Sequence, residues 1–164
     1  LSASVGELFR QVQEQMGPDV RLPVPTPGQV SGFLGFSVTC SAVVALLLAR
    51  WWQALLYNPG GFREEFHALR LPRGVTTALI GFGLLLTLAG PDYQIWALMF
   101  SVPFTVAGFA LVHGLAAQRG WGRGIVVAVY LAWLLLDPAK AVLLLAAVAD
   151  SWWDFRGRGG KKAQ

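Results

Sequence analysis

The sequence predicts an all-α protein, a polytopic transmembrane helical bundle preceded by a short amphipathic helix. Three observations predict it. Of the 164 residues, 55% are hydrophobic and only 13% are Asp, Glu, Lys or Arg, against about 25% charged residues in a soluble domain. The apolar residues fall into runs, and about 20 helical residues suffice to cross a ~30 Å hydrocarbon core. The remaining charge is gathered between those runs. "GFREEFHALRLPRG", Gly61 to Gly74, holds Arg63, Glu64, Glu65, His67, Arg70 and Arg73 in one short stretch. The net charge of +4 therefore reads as a topology signal, and no nucleic-acid partner is expected. Seven Trp and ten Phe suit the headgroup layer, where amphipathic rings settle. Cys40 is the one cysteine, so an intrachain disulfide and a four-cysteine zinc site are excluded. It reads as a small packing residue.

Val5, Leu8, Phe9, Val12 and Met16 recur at helical spacing within residues 3–16, which predicts the amphipathic helix. Gly17-Pro18 ends it, and the prolines of "RLPVPTPG" predict an extended connector over 17–29. Residues 1–29 are thus expected outside the membrane. The chain opens on Leu1 without a basic n-region, so no signal peptide is expected and a longer parent chain is.

The bundle is expected over 30–155, in segments near 32–57, 75–90, 93–117, 124–136 and 139–153. Trp51, Trp52 and Tyr57 would anchor the first in an aromatic belt. The second ends at Gly90-Pro91, and the third carries Pro103, which lipid-embedded helices tolerate. Residues 125–155 as one helix would run ~46 Å, too long without strong tilt. Asp137-Pro138-Ala139-Lys140 lies near its middle. Each mid-bilayer charge costs about 2.5–3.5 kcal/mol, so a hairpin turning at the surface is expected, with Asp137 as N-cap of the second arm. A kinked helix with its charges in a polar cavity is the alternative.

Five crossings put Arg63, Arg70, Arg73, Arg119, Arg123, Arg156, Arg158, Lys161 and Lys162 on one side. Arg10, Arg21 and Lys140 fall opposite, and Arg50 within a segment. The positive-inside rule then makes the basic side cytoplasmic, with 156–164 as a basic cytoplasmic tail. A re-entrant hairpin would leave three full spans and the same sides.

Within the Gly61–Gly74 loop, Phe62, Phe66 and Leu69 fall on one helical side while Arg63, Glu64, Glu65, His67 and Arg70 face water. That predicts a short interfacial helix. Glu64-Glu65-Phe66-His67 occurs once, whereas di-metal carboxylate–histidine motifs come in pairs. No metal, cofactor or catalytic residue is expected, and the chain is not read as an enzyme. Asp150 follows twelve residues without an ionisable group after Lys140. An intramembrane carboxylate normally needs a partner, and Arg50, His113 and Arg156 are the candidates at the same membrane edge. Asp154 and Arg158 stand at i,i+4 and form a further pair. Ala107, Gly108, Gly114 and Ala117 would allow close helix approach beside His113.

"FREEFHALRLPR", "FALVHGLAAQRG" and "DSWWDFR" occur in this order. They make residues 30–158 resemble the C-terminal part of the YybS-like family of bacterial multi-spanning membrane proteins, whose function is unknown. That family is distantly similar to the substrate-binding membrane subunits of energy-coupling-factor transporters. The resemblance implies a protein of the bacterial inner membrane, and the transporter likeness one that binds or transports a small solute; Asp150, His113 and Arg50, placed at one membrane edge, are the expected substrate contacts. A different class of function is a non-transporting scaffold. Arg63, Glu64, Glu65, Arg70, Arg73, Asp154 and Arg156 would then meet a cytoplasmic protein partner.

Overall fold

The computed structural model describes residues 2–16 and 25–159. Most of the proline connector and the tail beyond 159, with Arg21, Lys161 and Lys162, lie outside the described residues, as does the side chain of Arg158. Among the described residues every regular element is helical. The first, α1 (Ser2–Met16), leaves Leu8 and Val12 exposed.

The second helix, α2, spans Pro27–Tyr57 and so starts before the expected segment near 32–57, inside the expected connector. The reason is local. Thr26 accepts from the Gln29 amide at 3.2 Å, and the Gln29 side chain accepts from the Thr26 amide at 3.1 Å. This is a capping box with Pro27 just inside it, and proline at the first helical position forfeits only an amide that had no partner. A residue read as a breaker is a starter. The Thr26 hydroxyl also donates to Asp92 at 2.7 Å, and the Trp96 indole donates to the Gly28 carbonyl at 3.1 Å. Those bonds tie the head of α2 to the next hairpin corner.

The charged loop forms α3 (Gly61–Ala68), entered through Gly60 at φ 92°, a left-handed conformation that glycine adopts without steric cost. Phe62 and Phe66 stack at 5.8 Å. After Pro72 the chain bends by 65° into α4 (Arg73–Ala89). A single 3-10 turn, Pro91–Tyr93, leads into α5 (Gln94–Met99) and then α6 (Ser101–Gln118). The break at Phe100 has a cause. Pro103 has no amide to give the Met99 carbonyl, and its ring crowds that carbonyl.

The last apolar stretch divides into α7 (Arg123–Leu135) and α8 (Asp137–Trp153), bent by 119°. Helical hydrogen bonding is not continuous there, and the chain folds back as a hairpin. One detail of the expectation is corrected. Leu136, with φ −121° and ψ 115°, is the N-cap, and no side chain caps the helix. Asp137 lies in the first turn, where Lys140 holds it at 2.7 Å. Pro138 sits in that turn, where its missing amide costs nothing. A five-residue helix, α9 (Phe155–Gly159), closes the described chain.

Two packing groups meet. One is α2, α5 and α4; the other is α3, α6, α8 and α7. Phe104 and Ala107 of α6 and Ala147 of α8 form the buried centre, with Leu71, Leu79, Leu144 and Val148 against them. Gly108 permits the approach of α6 to α8. A Cβ there would fall 2.6 Å from Leu143 Cγ and 2.9 Å from the Leu143 carbonyl. Ala117, expected at this interface, stands exposed, and Ala116 is buried instead.

The outside is apolar. Phe33, Leu46, Leu84, Leu85, Leu134 and Leu145 are all exposed, whereas a soluble monomer keeps contiguous apolar patches to a few hundred Å². The spans Pro27–Tyr57 and Pro91–Gln118 are each long and apolar enough to cross a membrane. The count rises to four if the bent pairs α3–α4 and α7–α8 are each one span.

Candidate functional site at the charged rim

The ends of α3, α6 and α8 converge on Asp150. Its side chain is 2% exposed, and that of Arg156 is 8% exposed. The carboxylate accepts from Arg156 Nη2 at 2.6 Å and from the Phe155 amide at 2.9 Å. The same guanidinium donates to the carbonyls of His67 at 2.7 Å and Leu69 at 2.9 Å. One planar fork therefore joins the end of α8 to the exit of α3. Arginine suits this place because its donors are fixed in a plane and its charge is permanent. Gly114 of α6 makes room, since a Cβ there would lie 2.8 Å from the His67 carbonyl and 3.0 Å from Arg156 Cδ. A buried pair is tolerable only when its remaining polar atoms are also satisfied, and here they are.

Further bonds extend this latch. Arg73 donates to the carbonyls of Ser151 (3.4 Å) and Trp152 (3.1 Å), placing a cation at the negative end of the α8 dipole. The Thr76 hydroxyl donates to Ser151 Oγ at 3.0 Å in the interior. Asp154 caps α8 at φ 46° and pairs with Arg70 at 2.9 Å. The Asp154–Arg158 pair expected from spacing falls on the Arg158 side chain, outside the described residues; Asp154 itself is left-handed and ends α8. The Gly157 amide, then Arg70, hold the Asp154 carboxyl below its ordinary range.

The three expected substrate contacts are each held by a different partner. Asp150 is committed to Arg156. Arg50 is bound by both oxygens of Glu65 and also donates to Gln53 at 3.2 Å. His113 meets the Tyr130 hydroxyl at 3.1 Å and packs its ring near Phe66 and His67. His67, expected in water, is half-buried. Burial first, then the charge of Arg63, holds its imidazole below the ordinary range. Among the described residues no three His, Cys, Asp or Glu side chains converge as metal ligands.

Three hollows among the described residues bear on the site. A cavity of about 320 Å³ lies between α3, α6 and the start of α7, bordered by Arg63, His67, His113, Trp121 and Arg123. An open cleft of about 570 Å³ holds Glu64, Arg70, Asp154 and Arg156, with charges of both signs. The third, about 450 Å³, is a groove at span depth between α2, α6 and α8, walled by Phe36, Cys40, Val44, Phe109, Trp133 and Leu144. Its hydroxyls are spent on the backbone: Ser101 donates to Leu98 and Thr105 to Ser101. Lys140 is its one charged residue. Sequence reasoning missed this groove, because nothing in the apolar run of α2 says which of its faces meets α6.

Compared with protein-family models, curated proteins and solved structures, the chain matches none.

Proposed function

We propose that the protein is a polytopic helical bundle of the bacterial inner membrane, with its basic rim and C-terminus in the cytoplasm, that binds a small, mainly apolar solute. The observation that carries this reading is the groove of about 450 Å³ at span depth, within the ~300–1,000 Å³ range of small-molecule sites. Its aromatic and aliphatic walls favour an apolar body, since Lys140, the one charged residue lining it, is already paired with Asp137 at 2.7 Å. The reading moves the solute away from Asp150, His113 and Arg50, whose polar atoms serve the fold. It is compatible with the YybS-like resemblance and with the transporter-subunit analogy, which are part of the proposal. The test is native mass spectrometry of the purified protein. A bound small molecule is expected to be retained by the wild type and lost from Val44→Trp, which fills the groove. Retention of the same molecule by a folded Val44→Trp protein would refute the assignment.

A second reading, a scaffold for a cytoplasmic protein, is favoured by the exposed Arg63 and Glu64, which pair with nothing among the described residues. A stoichiometric protein in the same spectra, with no small molecule, would select it.

A further inference from the structure

We propose that the cavity between α3, α6 and the start of α7 holds the phosphate-bearing headgroup of an anionic membrane lipid. This rests on the bundle being membrane-embedded, as proposed above, but not on the solute groove.

The charges are one-sided. Arg63 and Arg123 border the cavity with His67 and His113, and no carboxylate lines it. Neither arginine forms an ion pair among the described residues. In the neighbouring cleft Arg70 and Arg156 are neutralised by Asp154 and Asp150, so that cleft offers an anion little. Additional positive potential comes from α7, whose N-cap Gly122 supplies no side-chain hydrogen bond. The helix begins at Arg123, and of its first amides that of Ile125 donates to the Gly122 carbonyl at 3.1 Å, leaving those of Arg123 and Gly124 at its positive end. Arg119 lies 5.1 Å from the centroid of the Trp121 ring, a cation–π contact that presents one more basic group at the mouth.

The rest of the cavity lining, Ala116, Ala117, Val126 and Val127, is apolar and gives a bare inorganic anion nothing to bind. A phospholipid uses both halves: its phosphate meets the arginine pair, and its glycerol and first methylenes lie on the alanines and valines. Trp121 also borders the cavity, and indoles favour the headgroup layer. His113 is held in place by the Tyr130 hydroxyl, so one polar wall is oriented before any lipid arrives.

The experiment is native mass spectrometry of the detergent-purified protein with added phosphatidylglycerol, phosphatidylcholine, or inorganic phosphate. Phosphatidylglycerol is expected to stay bound where phosphatidylcholine does not. Arg63→Gln and Arg123→Gln are each expected to weaken it about fivefold, the effect of one basic residue near an anionic surface. Arg10→Gln removes the same charge from α1 and is expected to leave binding unchanged; both cavity arginines are exposed, so their substitution spares the core. Equal retention of the two lipids, or wild-type retention by both cavity variants, would overturn the proposal. Displacement of the lipid by inorganic phosphate would assign the anion to a soluble source and overturn it equally.

Discussion

Asp150 is the residue on which the rim depends. Its carboxylate and the Arg156 guanidinium are buried together, so removing either leaves the other charged, dry and unpaired. Asp150→Ala is therefore expected to destabilise the protein by about 3–5 kcal/mol, read from denaturant unfolding in detergent. A stability within experimental error of the wild type would mean that the pair is solvated. Arg156→Lys should recover only part, because an ammonium cannot reach Asp150 and the carbonyls of His67 and Leu69 in one plane. His67 adds a pH dependence. Its folded-state pKa is lowered, mainly by burial, with Arg63, His113 and Arg156 as the neighbouring basic groups. A histidine of this kind binds fewer protons folded than unfolded. Its neutral form is fully compatible with the fold above the unfolded value of about 6.5, and stability falls as pH drops through that value toward the folded one. The thermal midpoint of the wild type should fall more than that of His67→Gln between about pH 7.5 and pH 5.5. Asp154, also depressed, stays ionised across that window. Equal losses in the two proteins would remove His67 from the account.

At the scale of elements, the close contact of α6 and α8 is set by Gly108. Gly108→Ala puts a methyl against both the side chain and the backbone of Leu143, and overpacking of this kind costs about 1–3 kcal/mol. A lowered unfolding midpoint checks it; an unchanged one would show that the helices separate freely. Much of the helix pattern is readable in the sequence, because apolar run length and Gly-Pro punctuation report directly on where a chain can stay in lipid. The reversal near Pro138 is readable for the same reason, since Asp137 and Lys140 mark a place that seeks water. Helix starts are less legible. Pro27 reads as a breaker until Thr26 and Gln29 are seen as its capping partners. Helix faces are least legible: α6 is apolar on every side, so periodicity does not say which side meets α8. For that reason the need of Asp150 for a basic partner can be read in advance, while the capture of Arg50 by Glu65, and of Asp154 by Arg70, cannot.

For the whole molecule, the loop of α3, the end of α6 and the residues after α8 meet at one end through Arg156, Gly114 and Arg70. The turn at Pro91–Tyr93 and the break at Leu136 each join two consecutive apolar segments, and five crossings would carry both to the opposite end. The positive-inside rule would then put the arginines in the cytoplasm and Asp92 and Lys140 outside. The most direct measurement is labelling of single cysteines with a membrane-impermeant maleimide, in a Cys40→Ser background, in intact cells and in inverted vesicles. The account predicts that Gly60→Cys and Gly120→Cys react only in inverted vesicles, and that Asp92→Cys and Lys140→Cys react only in intact cells. Reaction of Gly60→Cys and Gly120→Cys from opposite sides would contradict it.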